Sequence, residues 1–283
     1  MKCVFTVAGL GTRLLPATKE LPKEMLPIFD KSSKNKIILK PFLQLIFEKL
    51  YSFGISDYCF VVGSSKRAVQ DHFTPNFDLV KDLKAIKKKE IANDLNVFFK
   101  NLDKSNISFV NQPKPIGFGD AIYRSKKFVG NEPFLLHAGD DIILSKNNSH
   151  LHRLEKYFQK YNAEIACLIE DVDDPRRYGV IEGKNLEKNV IKIDSVVEKP
   201  KNPKTNSAVI AIYIFKPSIF KYLNKVKNSG SSEQQLARAI TMSLKKNTVI
   251  GVKIEKNEKR LDIGTPESYL GVLRKYKELL KYV

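Results

Sequence analysis

Short apolar runs alternate with helix-period stretches through the first half of this chain, and no other feature limits its fold as strongly. The runs CVFTV (3–7), YCFVVG (58–63), NISFVNQ (106–112) and PFLLHAGD (133–140) have the length and the β-branched or aromatic content of buried strands. Between them, PFLQLIFEKLYSF (41–53) places apolar residues at 42, 43, 45, 46 and 50, the spacing of one helical face. SKRAVQDHF (65–73), FGDAIYRSKKF (118–128) and NSHLHRLEKYFQKYN (148–162) read as further helices. Such alternation predicts a Rossmann-like α/β fold, a mixed and mostly parallel sheet flanked by helices on both faces. Ligands of these sheets gather beyond the carboxyl ends of the strands, which points to the loops after residues 7, 63, 112 and 138.

Beyond about residue 163 the pattern tightens into closely spaced strands: AEIACLIED, YGVIEG, NVIKIDSVVEK and SAVIAIYIF. Helices are expected near 217–225 and 233–245, then a strand over 248–254 and a closing helix over 265–281. The single domain of 283 residues thus divides into a part over about 1–163 and a smaller β-rich part over about 164–283. Its composition, 42% hydrophobic and 28% charged, excludes a disordered chain and a disulfide-dense mini-scaffold. The 49 lysines and arginines outnumber the 31 acids by 18, so anionic partners are expected. Basic and aromatic residues do not interleave on a strand face and no recognition motif occurs, which argues against nucleic acid as the partner. The lysine-rich stretch 81–104 reads as one or two solvated helices.

Cys3, Cys59 and Cys167 each stand in an apolar run and read as buried thiols of a reducing, cytoplasmic environment. No apolar stretch reaches the roughly 18 residues of a membrane span. His72, His137, His150 and His152 form no zinc-ligand pattern, so structural or surface roles are expected.

The most informative segment is AGLGTRLLPATKELPKEMLPIFD (8–30), where a strand ends in Gly9 and Gly11 and is followed by Thr12, Arg13 and Lys23. Glycines let backbone N–H groups turn toward a phosphate or base, and Arg and Lys neutralise phosphate charge. A dinucleotide fingerprint requires a third glycine where Leu14 stands, and the Gly-Lys-Ser/Thr of a Walker loop is absent. Further along come NQPKPIGFGDA (111–121), HAGDD (137–141), RRYGVIEG (176–183), VVEKP (196–200) and RLDIGTPESY (260–269). Asp140 and Asp262 both close predicted strands, so a shared sheet would bring two carboxylates to one hard cation. Asp141 reads either as a neighbour of that cation's ligands or as a turn residue.

In order and spacing these motifs resemble those of sugar-1-phosphate nucleotidylyltransferases, with PKEMLP most similar to the bacterial and archaeal UTP–glucose-1-phosphate uridylyltransferase branch. The resemblance covers nearly the whole chain and implies the nucleotide-diphospho-sugar transferase fold. It also implies the joining of UTP, or dTTP with its like base edge, to glucose 1-phosphate with release of pyrophosphate, in a homodimer or homotetramer. It assigns phosphate neutralisation to Arg13, Lys23 and Lys199. The nucleotide falls to Ala8, Gly9, Gly11, Thr12, Glu24 near the ribose, Gln112 and Gly117. The sugar phosphate falls to Gly179, Glu198 and Lys199, and Mg2+ to Asp140 and Asp262. An amide at Gln112 suits that role, since it offers a donor and an acceptor to a uracil edge.

Two segments depart from the family pattern. Residues 31–41, KSSKNKIILKP, insert about nine residues and are expected to lengthen a loop near the nucleotide. GSSEQQLARAI (230–240) has Ala237 and Arg238 where the family has Thr-Asp, on the sugar side. This second departure leaves room for a broader substrate range, or for a relative that binds nucleotide-sugar without turning it over.

Overall fold

The computed structural model of the chain describes residues 1–64, 66–226, 234–275, 277 and 280. The first apolar run becomes β1 (Lys2–Val7), buried from Cys3 onward as a strand covered on both faces must be. After the glycine-rich loop come β2 (Pro27–Lys31), β3 (Ile37–Pro41) and α1 (Phe42–Phe53). The last of these buries the predicted face and stops at Gly54, whose φ of 102° lets its N–H return to the carbonyls of Leu50 and Tyr51. There follow β4 (Asp57–Gly63), α2 (Arg67–His72), α3 (Phe77–Ala85), α4 (Lys89–Asp103) and β5 (Asn106–Gln112). The lysine-rich stretch is thus two helices, as expected.

The chain continues through α5 (Phe118–Arg124), α6 (Lys126–Val129), β6 (Phe134–Ala138), β7 (Asp141–Leu144) and α7 (Ser149–Lys160). Then come β8 (Ile165–Asp171), β9 (Gly179–Glu187), β10 (Val190–Glu198), β11 (Ser207–Phe215) and α8 (Ile219–Val226). Last are α9 (Gln235–Leu244), β12 (Val249–Lys253), β13 (Lys259–Asp262) and α10 (Pro266–Arg274), the final helix opened by Pro266 and a Thr265–Ser268 capping box. Position 233, the start of the helix expected over 233–245, lies outside the described residues, as does most of the chain beyond Lys275.

Nine strands form one sheet in the order β5-β4-β1-β6-β11-β8-β12-β10-β9. The expectation of a mostly parallel sheet holds only for its first half: β5, β4, β1 and β6 run parallel, as do β8 and β12. In contrast β11 is antiparallel to β6 and β8, and β10 is antiparallel to β12 and β9. For the β9–β10 pair the cause is connection length, since the two are joined too tightly for the crossover that parallel strands need. Helices cover both faces. Phe5, Phe47, Tyr58, Phe60 and Phe98 share one core with α1, α4 and α7, and Phe134, Phe215, Phe220 and Leu236 share the other with α5, α8 and α9.

The 31–41 insertion is not a lengthened loop. It pairs as a β2–β3 hairpin whose turn docks on α4, where the Ser33 N–H donates to Asp94 at 3.2 Å and Lys36 Nζ reaches Glu90 at 2.6 Å. The expected single helix over 118–128 breaks at Ser125, whose hydroxyl donates to the Ile122 carbonyl at 2.7 Å. A second small sheet pairs β7 with β13 and sets Asp141 directly opposite Asp262. All three cysteines are buried free thiols, and among the described residues no helix is long and apolar enough to cross a membrane.

Candidate active site

Asp140 leaves the end of β6, and the β7–β13 pairing carries Asp262 to it, with the Ile263 N–H donating to the Asp140 carbonyl at 3.1 Å. The expected shared sheet therefore exists, but it is this two-stranded one. A methyl group placed on Gly264 would lie 2.8 Å from Asp262 Oδ1, 3.5 Å from Arg13 Nη2 and 3.8 Å from Asp140 Oδ2. Two carboxylates and a guanidinium thus surround a single point. Lys23 closes the group by an ion pair with Asp140 Oδ2. Burial alone would lower the lysine's pKa and raise the carboxyl's, but their attraction and shared hydrogen bond outweigh it. Lys23 is held above its ordinary value and Asp140 below, so both stay charged.

The glycine loop delivers these cations through two single turns. Gly11 has a φ of 66°, and its carbonyl accepts from the Leu14 N–H at 2.9 Å and from Thr18 Oγ1 at 2.8 Å. A side chain there would meet Thr18 at 3.1 Å, so the turn needs glycine on two counts. Thr12–Leu14 then forms one 3-10 turn that aims Arg13 at the cleft, and Lys23–Met25 forms a second. The second turn points Lys23 and Glu24 in different directions. Glu24, expected beside a ribose, is instead 1% exposed and bound by Lys66 Nζ at 3.0 Å, with its pKa raised by burial against the pull of Lys66 and Lys23. Thr12 and Lys66 line a neighbouring hollow of about 280 Å3. Gly9 is exposed at the loop's start, within reach of Lys23, and Ala8 is buried against Gly63.

A cleft of about 370 Å3 gathers Arg13, Gly117, Asp140, Gly179, Glu198, Lys199 and Asp262 from six separate segments. Along another wall the β9–β10 register sets Gly179 opposite Glu198, and a side chain on Gly179 would lie 3.0 Å from Glu198 Oε2. The Lys199 N–H donates to the Tyr178 carbonyl at 2.9 Å, and Lys199 itself has a φ of 44°, in the left-handed region. Such backbone is costly for a residue with a side chain and concentrates at functional sites.

Gln112 lies behind this cleft. It is buried, and its Nε2 donates to the Gly117 carbonyl at 3.0 Å and to Asp120 Oδ2 at 2.9 Å. Gly117, with a φ of 122°, begins α5. Gln235 on α9 holds this segment: its Oε1 accepts from the Asp120 N–H at 3.1 Å and its Nε2 donates to the Ile116 carbonyl at 3.2 Å. Ala237 lines the cleft, so that part of the altered 230–240 segment does face the site, whereas residues 230–233 lie outside the described residues.

Sequence reasoning left Asp141 open, and the structure places its carboxylate on Arg260, which donates from Nε at 2.9 Å and Nη2 at 2.6 Å. Arg260, Lys66 and Gly264 are residues to which it gave no role: Arg260 and Gly264 stand within the RLDIGTPESY motif, and Lys66 in a stretch read only as a helix. Burial depresses His72 and His137 to about 4 and His150 to about 3, so these three are neutral near pH 7. His152 packs at a tilt against Phe53, with ring centroids 4.8 Å apart.

A sequence profile described as nucleotidyl transferase matches residues 2–278. The chain belongs to that family. Similar to this nucleotidyl transferase is a Methanocaldococcus jannaschii protein with the provisional name UTP–glucose-1-phosphate uridylyltransferase, 38% identical over 274 residues, which cover 95% of this chain and 90% of that one. A UTP–glucose-1-phosphate uridylyltransferase of Staphylococcus epidermidis is 36% identical over 266 residues, covering 93% and 87%. Among solved structures, a UDP-glucose pyrophosphorylase complexed with UDP-glucose superposes with a TM-score of 0.79 at 33% identity, over 98% of each chain.

Proposed function

We propose that this nucleotidyl transferase joins UTP to glucose 1-phosphate, forming UDP-glucose and pyrophosphate. The observation that carries the reading is the meeting of Arg13, Asp140 and Asp262 around one point, in a cleft that Lys199 also lines. An oxygen of the sugar phosphate attacks the α-phosphorus, and the bond to the pyrophosphate oxygen breaks on the opposite side. A phosphate monoester has a second pKa of about 6, so that oxygen is deprotonated at neutral pH and needs no base. The barrier is repulsion between two anions and their alignment, which cationic side chains relieve by position and charge. In this reading Arg13 and Lys23 take the triphosphate and Lys199 takes the sugar phosphate.

Backbone groups of Ala8, Gly9, Gly11 and Thr12 would cradle the nucleotide, with Gln112 and Gly117 reading the base. Gly179 and Glu198 would meet the hexose. Residues up to about 163 would thus serve the nucleotide and the remainder the sugar phosphate. Two carboxylates facing one point, with no third acidic, His or Cys ligand grouped beside them among the described residues, fit a cation that completes its shell with substrate phosphates. Asp140 and Asp262 would hold that Mg2+, which when bound neutralises phosphate charge. Assembly as a dimer or tetramer, by likeness to the family, belongs to the same proposal, as does a reducing cytoplasm that leaves three buried thiols unpaired.

Pyrophosphate release measured over UTP, dTTP, ATP, CTP and GTP, each with glucose 1-phosphate and its isomers, tests the reading. UTP with glucose 1-phosphate should give the highest kcat/KM. Silence over the whole panel would overturn catalysis in favour of binding alone, and a preference for dTTP would overturn the donor.

A further inference from the structure

Arg260, the first residue of RLDIGTPESY, touches several parts of the cleft's framework. Besides the two-pronged bond to Asp141, its Nη1 lies 3.4 Å from Glu170 Oε2, and its Nη2 lies 4.0 Å from Asp262 Oδ2. Its guanidinium carbon stands 5.0 Å from the centre of the Tyr178 ring. Burial would lower its pKa, yet Asp141, Asp262 and Glu170 hold it above the ordinary value, so it is a fixed charge. The Arg260 and Asp141 side chains are only 9% and 6% exposed. A desolvated ion pair is a poor way to hold two strands together, and apolar residues serve as well or better. What the planar fork adds is direction: it fixes the angle of a carboxylate in its plane and of a ring across its face.

The two directions lead to the two halves of the site. Asp141 follows Asp140 and pairs across the small sheet with Asp262, while the Tyr178 carbonyl receives the Lys199 N–H and Tyr178 precedes Gly179. We propose that Arg260 is a positioning residue that holds the sugar-phosphate loop at a set orientation to the Asp140–Asp262 pair, so that acceptor and cation site share one frame. This rests on the functional reading above.

The test compares R260K, D141N, Y178L, Y178F and the double variant R260K/Y178L with the unaltered protein. R260K should raise the KM for glucose 1-phosphate about tenfold and lower kcat, while the KM for UTP changes less than about twofold. Y178L should raise the sugar-phosphate KM and Y178F should restore it. Free Mn2+, followed by its electron paramagnetic resonance signal, should bind more weakly to R260K and D141N but normally to Y178L. Because both single changes would break one link, the double variant should be no worse than the more impaired single one. Multiplied effects in the double variant would overturn the link. So would an R260K whose thermal midpoint falls while its KM values and Mn2+ binding stay normal. If R260K does not fold, the Y178L and Y178F pair decides alone, and equal KM values in the two overturn the proposal. Unaltered protein that is silent with UTP and glucose 1-phosphate refutes the functional reading instead.

Discussion

The loop that supplies Arg13 and Lys23 and the strand pair that supplies Asp140 and Asp262 meet in one cleft, yet different forces hold them. The loop is largely exposed and is shaped by single turns, a left-handed Gly11 and a few backbone hydrogen bonds. The strand wall is set by ladder hydrogen bonds, by Gly139 wedged in the core and by buried charges behind it. The contrast shows that the anions of this site are fixed by the fold, whereas the cations are fixed by a short local path. Damage to either wall should therefore read out differently, in stability for one and in ligand handling for the other.

The largest expected effect ignores the difference between the walls. Lys23→Ala and Asp140→Ala should each lower kcat/KM by about 10²–10³-fold or more while circular dichroism stays native; near-normal turnover in either purified variant refutes its role. Next is acid. His137 lies on β6 beneath the strand wall, and His150 holds Ser145 just beyond β7 at 2.6 Å. Unfolded, these imidazoles take protons near pH 6.5, but burial holds them neutral in the fold until about 4 and about 3. Stability is thus full above pH 6.5 and should be lost as pH falls toward 4, at up to about 1.4 kcal/mol per pH unit for each histidine. A thermal midpoint that stays level from pH 7 to 5 would contradict this.

Gly139→Ala sharpens the comparison further. Its Cβ would meet Val7 Cγ1 at 2.5 Å, and crowding of this kind costs about 1–3 kcal/mol in urea unfolding. Gly11→Ala on the loop should cost about 1–2 kcal/mol from its φ alone and should show chiefly as a higher KM for UTP. If both changes act on stability without touching KM, the two walls do not differ as argued. The smallest effect is expected at Gly264→Ala, which crowds Asp262 Oδ1 without backbone strain and should reduce kcat about tenfold at an unchanged thermal midpoint.

What could be read from the sequence follows the same division. Gly11, Arg13 and Lys23 were legible because a turn and its cations are encoded within a few neighbouring residues. The helical face of α1 was legible for the same reason. Strand direction was not, since whether β11 runs with or against β6 depends on a partner far away in the chain. The 31–41 part of the β2–β3 hairpin was read as a loop because Ser, Lys and Asn at its tip are turn residues, and the short strand after them gave too little alternation to outweigh them. Arg260 and Asp141 are ordinary charges in the sequence; only the β7–β13 pairing makes them a buried couple. Glu24 was misjudged because a one-residue step within a 3-10 turn separates the cleft from the interior.

The contact between Lys23 and Asp140 means that the resting cleft presents less bare positive charge than its list of cations suggests. An arriving anion must draw the ammonium away from a carboxylate that already holds it. In the proposed reaction a chain of three phosphates would do so with several oxygens at once. Opening that couple would then be part of the cost of binding the triphosphate.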